Sequence, residues 1–282
     1  MLNKQHRVWL IAALMIVTLA CSAPGFSAPP DSGPLDTDAL STIVAGTANA
    51  AATQTALVAT NTPPPSSIET AAPTETATPT PRVSAEGTSL SKQSDGSFIF
   101  TDQQGGYSVV VPSGWLVVRI NEQEFLDAWG LPEASDPKLQ NFLTQFQKAD
   151  PKVYRLVGAD ITPEHFQGSF LTNFSISWNR NSTLTLQQEI DQTRKYLPQS
   201  IKGAKITYAD VGTTSTQIPM AILEISWSTK DTSGQTIKIY QKIIGFKLKN
   251  GTLAFTLTTT PDLKDALINS FDFMTDQIMI FP

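Results

Sequence analysis

Apolar and polar positions alternate along much of the chain after residue 98, which predicts a series of β-strands. The clearest lies at 170–178, where one face carries Phe170, Phe174, Ile176 and Trp178. The other face carries Asn173, Ser175 and Ser177. Because successive side chains of a strand point to opposite sides, we expect the first face to be buried and the second to be wet or only lightly covered.

Further strands are predicted at 98–101, 107–112, 115–120 and 154–160, and a meander of four at 205–211, 221–229, 236–249 and 252–259. The segments 103–106, 231–234 and 249–251 supply the turns, and Asn250-Gly251 is the strongest hairpin signal among them. Within 236–249 the alternation changes phase beyond Gly245, which predicts a β-bulge near Ile244.

Helical spacing separates these strand runs. Asp136 and Pro137 predict a helix start, followed by an apolar stripe at i, i+3, i+4 and i+7 formed by Leu139, Phe142, Leu143 and Phe146. Thr185 and Gln188 predict a capping box for a second helix. Helices are also predicted at 121–129 and 261–270. The combined pattern predicts an α+β domain over 98–282, in which helices flank an antiparallel sheet.

The first 21 residues have the pattern of an export signal. Lys4 and Arg7 precede an uninterrupted apolar run at 8–20, which is too short to cross a bilayer. The run ends in Thr18-Leu19-Ala20-Cys21, which resembles the lipobox of bacterial lipoproteins, with Thr18 where Leu is more usual. The resemblance implies that 1–20 is a cleaved signal peptide and that Cys21 receives a diacylglyceryl group as a membrane anchor.

Residues 21–97 have low complexity and are rich in Ala, Thr, Pro and Ser. The Ala-rich, proline-free stretch 37–60 allows a weak helix, whereas 61–82 favours extended polyproline II. Little apolar area is available for burial here, so we expect a disordered tether that spans roughly 50 Å as a flexible coil. A wall-interacting or O-glycosylated stalk is the alternative.

Composition narrows the function classes. The formal net charge is −5, and residues 98–282 carry 18 acidic and 16 basic residues, so no nucleic-acid partner is expected. Cys21 is the only cysteine, which excludes an internal disulfide and a zinc site built from several thiolates. The histidines are His6 and His165, and His6 lies in the signal.

Four features could carry chemistry or binding, and each has a simpler interpretation. Asp160, Glu164 and His165 could form a hydrolytic or metal site, but a solvated loop is the favoured interpretation. A ligand groove could use Trp115, Trp129, Trp178 and Trp227, although their spacing favours core positions. A basic strip could use Lys238, Lys242, Lys247 and Lys249, although a solvated strand face is favoured. Gly105-Gly106 favours a hairpin turn over a phosphate loop.

The domain resembles the PsbP-like family. The resemblance rests on Phe98-Ile99-Phe100, then Gly106-Tyr107 leading through Val111 to Pro112-Ser113-Gly114-Trp115, and on Asn250-Gly251 before a last strand and helix. It implies an α/β/α sandwich around an antiparallel sheet, used for binding or as an assembly factor. The family includes a photosystem subunit and a Ran-binding nuclear protein, so the fold does not fix a function.

Together these features predict a lipid-anchored protein on the extracytoplasmic face of the cell membrane. Its domain is expected to be non-enzymatic, to hold no cofactor or metal, and to bind a protein partner or a small ligand. Two alternatives stay open: a hydrolase or metal-dependent enzyme centred on Asp160, Glu164 and His165, and a purely structural cell-envelope protein.

Overall fold

A computed structural model describes residues 83–166, 168–231 and 234–281. The predicted signal peptide 1–20, the predicted lipidation site Cys21 and the weak helix predicted at 37–60 lie outside the described residues. No helix in the described ranges is long and apolar enough to cross a bilayer.

Strands and helices succeed one another in the α+β order that the sequence predicts. The described strands are β1 (Thr88–Lys92), β2 (Phe98–Asp102), β3 (Tyr107–Val111), β4 (Trp115–Val118), β5 (Tyr154–Asp160), β6 (Asn173–Asn179), β7 (Lys205–Thr213), β8 (Pro219–Lys230), β9 (Thr236–Leu248), β10 (Gly251–Thr259) and β11 (Met279–Ile280). The helices are α1 (Gln123–Ala128), α2 (Pro137–Gln147), α3 (Pro163–Phe166), α4 (Leu186–Ser200) and α5 (Pro261–Asp276), with a 3-10 turn at Pro132–Ser135.

The larger of two antiparallel sheets has seven strands in the order β4-β5-β6-β10-β9-β8-β7. Strands β7 to β10 form the predicted meander, each paired with the next. The fold class is therefore confirmed as α+β with an antiparallel sheet. The predicted helix starts also hold: the Asp136 side chain accepts the N–H of Lys138, and Thr185 and Gln188 form both bonds of the capping box.

The smaller sheet, β1-β2-β3-β11, corrects the predicted start of the domain. Residues 88–92 were expected in the tether that ends at 97, but they pair in register with β2, from Thr88 opposite Asp102 to Lys92 opposite Phe98. The polar sequence of β1 hides the strand, because the bonds that hold it are made by its backbone. Only Thr88 of this strand is fully buried.

Both faces of the large sheet are covered over most of its width. One face packs against α1, α2 and α4 through Phe142, Phe146 and Ile190, among others. The other face packs against α5 and the smaller sheet, where the Trp115 and Phe174 rings meet edge to face with centroids 5.1 Å apart. The second layer of the implied α/β/α sandwich is therefore a helix together with a small sheet.

The interpretation of 170–178 as half-exposed is wrong. The strand begins at Asn173, and Phe170 packs in another cluster with Leu197 and Trp227. Asn173, Ser175 and Ser177 are also buried, with exposed fractions of 6%, 3% and 9%. The reason is position: β6 lies in the middle of the sheet between β5 and β10, so neither face reaches solvent, and small polar side chains are tolerated there.

The bulge predicted near Ile244 is also absent, because β9 pairs with both neighbours in one continuous register. Lys238, Tyr240 and Lys242 share a face with Ile244 and Phe246. The apparent phase change arises because this face is exposed to solvent at the start of β9, whereas α5 and the smaller sheet cover it at the end of the strand.

A buried ion pair joins the smaller sheet to the larger one. The Arg155 and Asp102 side chains are both 0% exposed, and Arg155 Nε and Nη2 donate to the two Asp102 oxygens at 2.6 and 3.0 Å. Arg155 also donates to the carbonyls of Glu86 and Pro151. Asp102 additionally accepts the N–H of Gly105, which fixes the turn into β3.

The Asn250-Gly251 hairpin gives a stability prediction. Gly251 has φ +109°, and an added Cβ would lie 1.8 Å from the Asn179 carbonyl oxygen, so we expect Gly251→Ala to lower the free energy of unfolding by about 2–4 kcal/mol. Gly203→Ala is the control, because its φ is +82° but its added Cβ meets nothing within 4 Å. Urea unfolding should show a loss of only about 1 kcal/mol for the control. Equal losses would contradict the packing argument.

Candidate functional site: the Asp160–His165 pair and a cleft beside the last helix

The structure brings together two of the three residues in the predicted chemical cluster. Asp160 is the last residue of β5, and its buried carboxylate contacts His165 Nδ1 through Oδ2 at 2.7 Å. Its other oxygen accepts the N–H of Thr162 at 3.0 Å. Glu164 is exposed and takes no part in these contacts. The acid–imidazole contact that a catalytic pair requires is therefore present.

The surroundings of this pair resemble a loop anchor more than a reaction centre. The Thr162 carbonyl accepts the N–H groups of His165 and Phe166, and Lys138 Nζ donates to the carbonyls of Phe166 and Gly168. Within the described ranges no hydroxyl is hydrogen-bonded to His165, and no three His, Cys, Asp or Glu residues converge as a metal site. The contacts hold the segment after β5 against the start of α2.

A cleft of about 390 Å³ lies between α5 and the face of β8 and β9 that α5 leaves uncovered. Its floor is formed by alternate residues of the two strands, and its wall by the C-terminal half of the helix. The lining residues are Met220, Ile222, Lys242, Ile244, Asp272, Phe273, Thr275 and Asp276. Phe273 is 51% exposed at the rim, which is unusual for a large aromatic side chain.

Charged groups border the apolar floor of the cleft. Lys242 is 8% exposed and donates to Asp272 at 2.6 Å, so its ammonium is held in place. Asp276 accepts the N–H and the hydroxyl of Ser215, and these hydrogen bonds lower its pKa. Asp276 therefore stays ionised to lower pH than an ordinary aspartate. An apolar floor with fixed charges along one wall suits a small amphipathic molecule.

A second ionic contact lies next along the same sheet face. Lys264 Nζ is 3.5 Å from Glu224 and lies over the Tyr240 ring, 4.4 Å from its centroid. Burial, with a smaller effect from the Glu224 carboxylate, raises the pKa of Tyr240. The phenol is consequently neutral throughout the physiological range.

Sequence reasoning missed this cleft. The helix was predicted to end at Ser270, whereas α5 continues to Asp276 and carries Phe273 into the rim. The signal is present in Phe271, Phe273 and Met274, which lie just beyond the end that the sequence predicts for this helix. A second signal lies in β8, where alternate residues on one face are apolar at Met220 and Ile222 and acidic at Glu224. The apolar floor of the cleft ends at this change.

The tryptophans of the predicted groove and the lysines of the predicted basic strip do not form shared sites. Trp115, Trp178 and Trp227 are buried, which confirms core positions for these three, while Trp129 is 38% exposed on the surface beside α1. The lysine strip does not form as one surface. Lys242 is buried against Asp272, and Lys247 points to the opposite face, where it donates to the Ser182 carbonyl.

No family model matches the sequence, and no curated protein matches it. Solved structures do match. A cyanobacterial PsbP from Synechocystis is 14% identical, with a TM-score of 0.43, and covers 67% of this chain and 95% of its own. LpqN of Mycobacterium tuberculosis, described as involved in cell envelope biogenesis, is 11% identical with a TM-score of 0.37, over 72% of this chain and 90% of its own.

A Pseudomonas aeruginosa protein of unknown function also matches, at 13% identity and a TM-score of 0.35, over 40% of this chain and 75% of its own. The Tyr107–Trp115 region, which carries the resemblance in the sequence, forms β3 and the first residue of β4. There Gly114, at φ +93°, turns the chain so that Trp115 enters the core.

Proposed function

We propose that this chain is a lipid-anchored extracytoplasmic protein that displays a non-enzymatic binding domain on a long tether. The observation that carries the binding role is the cleft beside α5, with the apolar side chains of its floor, the exposed Phe273 and the Lys242–Asp272 ion pair. The lipobox-like Thr18–Cys21 and the low-complexity stretch that follows support anchoring and display.

The size and chemistry of the cleft favour a small amphipathic ligand. A volume of about 390 Å³ falls within the range of small-molecule sites. The apolar body of a ligand would lie on Met220, Ile222 and Ile244, under the Phe273 ring. Its polar end would meet the Lys242–Asp272 ion pair between floor and wall, whose side chains already hold each other in place and so lose little entropy on binding.

Binding in the cleft can be measured with the uncharged apolar dye N-phenyl-1-naphthylamine, whose fluorescence rises in apolar sites. We expect Phe273→Ser to weaken dye binding about tenfold, since a buried aromatic contact contributes about 1.5 kcal/mol. The control is Leu126→Ser, which removes a side chain that is 59% exposed on α1, away from the cleft. Equal weakening by both variants, or no dye binding by the parent, would contradict a ligand cleft.

The Asp160–His165 contact supports a second candidate, a hydrolase that uses His165 as a base. A structural role predicts a different result. We expect His165→Ala to leave dye binding unchanged and to lower the free energy of unfolding by about 1–3 kcal/mol, because the buried Asp160 carboxylate loses one hydrogen-bond partner. Ester hydrolysis that the parent catalyses and His165→Ala abolishes would establish the enzyme instead.

A further inference from the structure

Four lysines lie together at one end of the large sheet, on and beside its open face. We call this set the lysine corner: Lys202, Lys205, Lys230 and Lys238. All four side chains are exposed. Lys205 opens β7 and Lys202 lies in the turn before it. Lys230 closes β8, and Lys238 lies near the start of β9.

The strand register places three of them on one face. Lys205 lies opposite Ser226, Lys238 lies opposite Ser228, and Lys230 is two residues further along β8. Paired residues of an antiparallel sheet point to the same side, so these lysines surround two serine side chains. The Cα atoms of Lys205 and Lys238 are about 12 Å apart, from two strand spacings and two residues of rise.

The opposite face of the same strands is covered by the end of α4. Ile225, Trp227 and Ile239 alternate with the serines and lysines, and they pack against Leu197 and Ile201 at the end of α4. The strands that carry the lysine corner are therefore supported by a packed layer on their other face. The lysines can contact a flat surface at the same time.

The lysines of this corner have no acidic partner within the described ranges. None has a carboxylate oxygen within 4.0 Å, whereas nearby Lys242 and Lys264 are both paired. The neighbouring Asp231 is buried and accepts the N–H of Gln235.

The charge of the domain is also divided unevenly. Residues 192–249 carry nine Lys or Arg against three Asp or Glu, whereas 83–191 and 250–281 together carry eight against seventeen. Residues 192–249 form most of α4 and the strands β7, β8 and β9. A basic set of elements on an otherwise acidic domain creates a directed field, which orients the domain toward an anionic surface and away from a cationic one.

We propose that the lysine corner docks the domain onto the anionic headgroups of a lipid bilayer. This inference uses the anchoring under the proposed function to choose a membrane over other anionic partners. A tether of 61 residues between Cys21 and Val83 has a root-mean-square reach of roughly 45 Å, so an anchored domain meets the membrane at high effective concentration. The anchor brings the domain near, and the lysine corner orients it.

The test uses the full chain carrying Cys21→Ser, so that no acyl chain contributes. Sedimentation compares its partitioning into phosphatidylcholine vesicles and into equimolar phosphatidylcholine–phosphatidylglycerol vesicles. The apolar run at 8–20 contributes to both partition coefficients, so their ratio reports the preference for anionic lipid. A lysine at an anionic surface contributes a factor of about five. We therefore expect Lys205→Gln combined with Lys238→Gln to lower the ratio about 25-fold.

The matched control combines Lys148→Gln with Lys152→Gln, which removes the same charge from exposed lysines after α2. We expect its ratio to change by less than about twofold, and the parent's preference to fall as salt screens the corner. The proposal is overturned if both double variants behave alike, if the parent has no preference, or if soluble polyglutamate binds the parent more tightly than the vesicles do. Because the protein carries no lipid, none of these results depends on acylation of Cys21.

Discussion

We expect Arg155→Met to lower the free energy of unfolding by about 3–5 kcal/mol, because it leaves the Asp102 carboxylate buried without its cation. Both side chains are 0% exposed, and no solvent can replace the lost partner. The substitution also removes the donors to the carbonyls of Glu86 and Pro151. Urea denaturation, monitored by tryptophan fluorescence, measures this loss.

Two further variants make the test specific. Lys264→Met removes a partly exposed ion pair with Glu224, and we expect a loss below about 1 kcal/mol. Combining Arg155→Met with Asp102→Leu removes both buried charges, so we expect it to recover part of the loss seen for Arg155→Met alone. A loss for Arg155→Met no larger than that for Lys264→Met would show that the pair does not hold the two sheets together.

The fold class was predictable because it depends on local patterns. The meander β7–β10, the Asp136 cap and the Thr185 capping box each follow from a few neighbouring residues. The predicted burial was wrong where elements distant in sequence decide whether a strand face is covered. Ser175 and Ser177 are buried because β6 is central, and the alternation of β9 changes character because α5 covers only part of its length.

The site was less predictable than the fold for the same physical reason. The Asp160–His165 contact joins residues five apart and could be anticipated, although its role as a loop anchor depends on Lys138 from α2. The cleft needs α5 to end beside β8, which is 40 or more residues away in sequence. The Arg155–Asp102 pair joins residues 53 apart, and nothing near either residue indicates it.

The second large effect concerns Cys21. We expect the parent protein to sediment entirely with membranes and to require detergent for release, because two or more acyl chains give stable anchoring. We expect Cys21→Ser to lose detergent-dependent anchoring by acyl chains. Ala23→Ser is the control, since it changes a neighbouring residue and leaves the cysteine intact.

Metabolic labelling with radioactive palmitate tests the lipid anchor most directly. We expect label to enter the parent chain and Ala23→Ser, and none to enter Cys21→Ser. Equal labelling of the parent and Cys21→Ser, or no labelling of the parent, would contradict a lipid anchor at Cys21.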